Sequence, residues 1–207
     1  MSNLFIERYT ERQRMNHWVM AITLILAAFS GLAFFHPSLF FMSAFFGGPG
    51  WTRILHPFLG VVAVVSFLGL ASTLWRDNVL NDGDREWNKH MGDMLRGNKA
   101  GLPPVGKYNG GQKMVFWVMA LSAVVLLVTG IAFWHPWFTP SFPIGVQRVA
   151  VLLHAVAAVA LLLATIVHVY AAVWVKGTVR AMTRGNVSED WARLNHPLWH
   201  QEMTRGK

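Results

Sequence analysis

Nine histidines and no cysteine define the chemistry open to this 207-residue chain. Without thiols, disulfides, thiolate-bound iron–sulfur clusters and cysteine zinc sites are excluded, so any metal must be held by His, Met or oxygen. His90, His196 and His200 lie in polar segments and read as solvated surface residues. His36 and His135 each precede a proline at the end of an apolar block, where they help to stop a helix. The remaining four, His17, His56, His154 and His168, lie in or at the edges of apolar blocks. Ionisable groups there are expensive to bury and mark functional sites with partners to be named. Any one of them alone also reads as an interhelical hydrogen bond. As a set they suit axial ligation of heme iron, because two imidazoles from different helices can take both axial positions. Electron transfer is then the expected role, with no open position for oxygen or substrate.

The elements that position these residues follow from hydropathy. The chain is 54% hydrophobic and 14% charged, and a helix needs about 20 mostly apolar residues to cross a bilayer core. Four stretches qualify, namely Trp18 to Phe35, Ile54 to Trp75, Met114 to Trp134 and Val149 to Val175, and none contains Asp, Glu, Lys or Arg. With His17 at the edge of the first, the spans are 17–35, 54–75, 114–134 and 149–175. The expected fold is an all-α four-helix membrane bundle forming one domain over 1–207, with a polar loop at 76–112 and a tail at 176–207. No cleaved signal peptide is expected, because no small-residue cleavage site follows a short apolar core.

The net charge of +8 is a topology signal rather than a nucleic-acid footprint. Of 18 Lys and Arg, 16 precede the first span, lie between Arg76 and Lys113, or follow from Lys176 onward, leaving only Arg53 and Arg148 on the alternate side. The positive-inside rule then places both termini and the long loop in the cytoplasm.

An internal repeat divides the chain into two hairpins. Gly31-Leu-Ala-Phe-Phe-His-Pro recurs as Gly130-Ile-Ala-Phe-Trp-His-Pro, and Leu55-His56 recurs as Leu153-His154. Orientation then fixes depth. His56 and His154 start outward-to-inward spans and pair on the outer side, whereas His17 and His168 pair towards the cytoplasm. His154 and His168, 14 residues apart, share a helix face about 21 Å apart along the axis. Small residues one turn on, Gly60 and Ala158, would admit a flat macrocycle or close helix packing. The inner pair breaks the repeat, since His17 corresponds to Phe116 and His168 to Leu70. A broken-helix transporter is disfavoured because the prolines cluster at span ends. A heme-free anchor and a histidine-dependent transporter remain as alternatives, separated from a cytochrome by Soret absorption.

With these four histidines stand the start Arg12-Gln-Arg-Met-Asn-His17-Trp and the run Gly106-Lys107-Tyr108-Asn109-Gly110-Gly111-Gln112-Lys113. On them the chain resembles, over essentially its whole length, the gamma subunit of respiratory formate dehydrogenase, a family of di-heme cytochromes b. The resemblance implies an inner-membrane subunit that does not itself oxidise formate. It implies two hemes b, on His56 with His154 and on His17 with His168, and menaquinone bound by Asn109 and Gly111 beside His168. The implied partners are an iron–sulfur beta subunit and a periplasmic molybdenum- or tungsten-containing alpha subunit, with a possible higher oligomer of the heterotrimer. A cytochrome b for another periplasmic dehydrogenase, such as a hydrogenase or a thiosulfate-reductase relative, is the alternative. From the residues alone, Asn109-Gly-Gly also reads as a turn entering a helix.

Overall fold

In the computed structural model, which describes residues 4–96 and 101–205, four helices are long and apolar enough to span a membrane: α1 (Glu11–Phe35), α2 (Pro49–Leu74), α5 (Gly110–Ala132) and α6 (Ile144–Trp174). The 76–112 segment contains two shorter helices, α3 (Asp82–Lys89) and α4 (Met91–Leu95), and its part at 97–100 lies outside the described residues. The tail forms α7 (Thr178–Arg184), α8 (Glu189–Asn195) and α9 (Pro197–Thr204), and its last two residues also lie outside them.

Each spanning helix begins earlier than its apolar block, and at α1 and α5 polar residues cap the first turn. Thr10 and Gln13 cap α1 reciprocally, with Gln13 N–H donating to Thr10 Oγ1 at 3.3 Å and Thr10 N–H to Gln13 Oε1 at 3.0 Å. Asn109 and Gln112 do the same for α5 at 2.9 and 3.0 Å. Pro49 opens α2 after Gly47 and Gly48, both at positive φ. α5 ends at Ala132, short of the expected Trp134. Of the apolar stretch in each spanning helix, between 11% and 22% of residues are buried. Side chains such as Ile22, Val65, Leu121 and Leu163 stay exposed, which in water would be untenable and in lipid is the stable arrangement.

The described chain forms two compact units. The first comprises Met1–Arg14, Ser72–Trp117 and Ile166–Lys207, and the second Met15–Ala71 and Val118–Thr165. All ten carboxylates fall in the first, whereas the second carries no acidic residue and only Arg53 and Arg148 as cations. In the first unit, a short antiparallel pair adds strand to the expected all-α fold: β1 (Phe5–Glu7) meets β2 (Asn186–Ser188), with Ile6 opposite Val187. A buried ion pair, Lys113 Nζ to Asp84 at 2.7 Å, ties α3 to α5, and Lys113 also donates to the Val79 carbonyl at 2.9 Å. Removing one member of such a pair costs about 3–5 kcal/mol because the other charge is left buried.

Candidate functional site, a paired-histidine centre

In the second unit, α2 and α6 bring His56 and His154 together, with ring centroids 6.2 Å apart. Each ring is held from a neighbouring helix by one hydroxyl. Ser30 Oγ on α1 lies 2.9 Å from His56 Nδ1, and Thr129 Oγ1 on α5 lies 3.0 Å from His154 Nδ1. Both hydroxyls also have acceptors on their own helix: Ser30 Oγ lies 2.9 Å from the Leu26 carbonyl and 3.0 Å from that of Ala27, and Thr129 Oγ1 lies 2.6 Å from the Val125 carbonyl. A hydroxyl that has given its proton to a carbonyl can only accept from the ring. With the protons so placed, Nδ1 carries the hydrogen in both histidines and Nε2 of each keeps a lone pair. This is the tautomer a metal-binding imidazole needs, with a second group fixing its orientation.

The space around the rings is made by glycine. A Cβ on Gly31 would lie 3.1 Å from His56 Cε1, and one on Gly130 would lie 3.4 Å from His154 Cε1. Gly31 with Gly130 and Ser30 with Thr129 both stand 99 residues apart, so the repeat reproduces the whole arrangement. Neither hydroxyl stands out in the sequence, although Ser30 and Thr129 extend the Gly31/Gly130 match by one residue. Gly60, one turn below His56, has no heavy atom within 4 Å of a built Cβ, and Ala158 is half-buried.

The residues fit a heme iron. Two metal–imidazole bonds of about 2.0 Å, each extended by about 1.1 Å to the ring centre, reach across about 6 Å, which matches the observed 6.2 Å. The donor set is nitrogen only, and among the described residues no group of three or more His, Asp or Glu forms a conventional metal cage.

His17 is half-buried on α1 in the second unit, and His168 is exposed on α6 in the first. Asn109 Oδ1 is engaged in the α5 cap. Gly111 packs where a Cβ would meet Trp87 at 2.9 Å, and a Cβ on the preceding Gly110 would meet the Asp84 carbonyl at 2.7 Å. His36 ends α1 as expected, accepting from Ser38 N–H at 3.2 Å. His90 and His200 are partly exposed, with Nδ1 of His90 3.0 Å from the Glu86 carbonyl and Nε2 of His200 3.3 Å from Glu189.

His196 departs from the solvated reading. It is 2% exposed, lies 5.0 Å from the Trp191 ring and donates Nδ1–H to the Gly106 carbonyl at 2.8 Å. Burial, with the Arg8 charge beside it, pushes its pKa down to about 3 against that hydrogen bond, so the ring is neutral. The tail that carries it is folded into the first unit because Trp191 and Trp199 bury against Arg8.

The chain matches the family described as prokaryotic cytochrome b561 over residues 8–185. It is 44% identical over 200 residues to the formate dehydrogenase cytochrome b556(fdo) subunit of Escherichia coli K12, covering 97% of this chain and 94% of that one. It is 39% identical over 194 residues to the nitrate-inducible cytochrome b556(Fdn) subunit of the same organism, covering 94% and 89%. The formate dehydrogenase cytochrome b556 subunit of Haemophilus influenzae is 39% identical over 202 residues, covering 98% and 85%. A nitrogen-donor pair within four apolar helices and these full-length likenesses agree: the chain belongs to the prokaryotic cytochrome b561 family, with the cytochrome b556 subunits of formate dehydrogenase, and is an integral membrane cytochrome b.

Proposed function

We propose that this chain is the membrane electron-transfer subunit of a respiratory formate dehydrogenase in a bacterial inner membrane, with both termini cytoplasmic. The observation that carries the heme assignment is the repeat-related pair of hydroxyls holding His56 and His154 with Nε2 open. His56 and His154 are the ligands of an outer heme b. His17 and His168, paired by depth in the sequence, are the ligands of an inner one. Bound there, heme b supplies reversible one-electron carriage between an iron–sulfur partner and quinone. The chain's own work is to hold the imidazoles, exclude water with apolar helices and leave no open position beside the paired rings. Asn109 and Gly111 are assigned to menaquinone from the family resemblance. Asn109 retains its amide as a donor beyond the cap, and Gly111 gives the backbone close approach. The names of the relatives support membership of a formate dehydrogenase complex, and the family resemblance assigns it a periplasmic molybdenum- or tungsten-containing alpha subunit and an iron–sulfur beta subunit as partners. A pyridine hemochrome assay on purified, heme-supplied chain tests the assignment. Two hemes b per folded chain is the expected result, and a folded chain without heme overturns it.

A further inference from the structure

The run that leads into α5 is held by parts of the chain remote from it in sequence, all within the first unit. Three consecutive carbonyls are taken by the terminal segments. Leu198 N–H donates to Val105 at 3.2 Å, His196 Nδ1–H to Gly106 at 2.8 Å, and Arg8 Nη2 to Lys107. Tyr108 donates its hydroxyl to that of Tyr9 at 3.0 Å, and Lys107 Nζ pairs with Asp77 at 2.7 Å. Asn109, Gly110 and Gly111 follow directly.

Arg8 is the centre of this arrangement. It is 6% exposed, and its guanidinium lies 4.8 to 5.8 Å from the rings of Tyr9, Tyr108, Trp191 and Trp199. Its Nη1 is buried with no hydrogen-bond partner. A buried, incompletely bonded cation is a costly way to join three segments when apolar packing would serve. What arginine adds is a planar fork that stacks on rings while donating to a carbonyl at a fixed angle. Its position sets that of Lys107, two residues before Asn109.

We infer that Arg8, with His196, positions the Gly106–Gly111 loop for quinone, so that the N-terminal arm and the C-terminal tail together clamp the quinone site. This rests on the reading of Asn109 and Gly111 as quinone contacts. Displacement of a binding loop by about 1 Å costs up to a hundredfold in activity, so loosening the clamp acts on quinone while the paired-histidine centre stays intact.

The test uses the complete dehydrogenase complex carrying Arg8→Gln, Arg8→Lys or His196→Phe, assayed with the soluble naphthoquinone menadione. Heme spectra and formate-to-dye activity are recorded alongside. The expected result is a KM for menadione raised by about tenfold in Arg8→Gln. It is raised less in Arg8→Lys, which keeps a donor, while heme content and dye activity stay unchanged. An unchanged KM in both Arg8→Gln and His196→Phe overturns the inference. So does loss of heme and quinone activity together in both, because the contacts would then serve folding alone. Asn109→Ala separates the two readings. If it leaves menadione kinetics unchanged, the quinone assignment itself fails. If it alters them while the Arg8 and His196 variants do not, only the clamp fails.

Discussion

At the scale of single residues, the paired-histidine centre is governed by two hydroxyls and two glycines. With Ser30 and Thr129 accepting the Nδ1 protons of His56 and His154, each imidazole would be a stronger donor to a bound heme iron and would favour its oxidised state. Ser30→Ala or Thr129→Val is therefore expected to raise the midpoint potential of the outer heme by tens of millivolts, on the order of 1 kcal/mol. Redox titration of the purified variants checks this, and a fall in potential contradicts it. The glycines give a graded outcome. A methyl on Gly31 approaches His56 to 3.1 Å, whereas one on Gly130 approaches His154 to 3.4 Å. Gly31→Ala is accordingly expected to disturb the heme spectrum more than Gly130→Ala, with optical spectra at matched heme content as the measure. The histidines themselves were legible in the sequence because polar groups stand out in apolar blocks. Ser30 and Thr129 were not, because a hydroxyl satisfied by its own helix looks like ordinary helix filling.

At the scale of elements, sequence and structure part where long-range contacts decide. Span existence was legible because lipid imposes length and apolarity, whereas span starts were set by the caps at Thr10 and Asn109, which hydropathy does not register. The tail was opaque for a different reason. His196, Trp191 and Trp199 are polar or amphipathic residues in short helices, and their burial depends on Arg8, far away in the chain. That burial has a pH consequence. The unfolded chain protonates His196 near the ordinary 6.5, and the native chain only at about 3. Unfolding therefore takes up a proton in that window. Stability is intact above it and declines as pH falls, by about 1.4 kcal/mol per pH unit. Thermal unfolding in detergent at about pH 7 and about pH 5 should show a larger fall in Tm for the wild type than for His196→Gln. Equal falls contradict the burial argument.

At the scale of the whole molecule, charge is segregated: all ten carboxylates belong to the first unit, and the second carries only two cations. The positive-inside rule reads this as both termini and the 76–112 segment in the cytoplasm. Fusing a reporter that fluoresces only in the cytoplasm to either terminus is expected to give signal, and a periplasmic phosphatase fused at the same points to give none. The reverse pattern contradicts the orientation. The repeat was legible at this scale through His56 and His154, whereas the division into two compact units was not, because it cuts across every spanning helix.

The proposed function stands on His56 and His154 holding one heme between them. Replacing each singly with Ala, and recording the low-temperature optical and electron paramagnetic resonance spectra of folded, membrane-inserted chain, tests it most directly. Either substitution is expected to remove the same one of two low-spin heme signals and leave the other unchanged. Loss of different hemes from the two variants, or retention of both hemes in each, would contradict it.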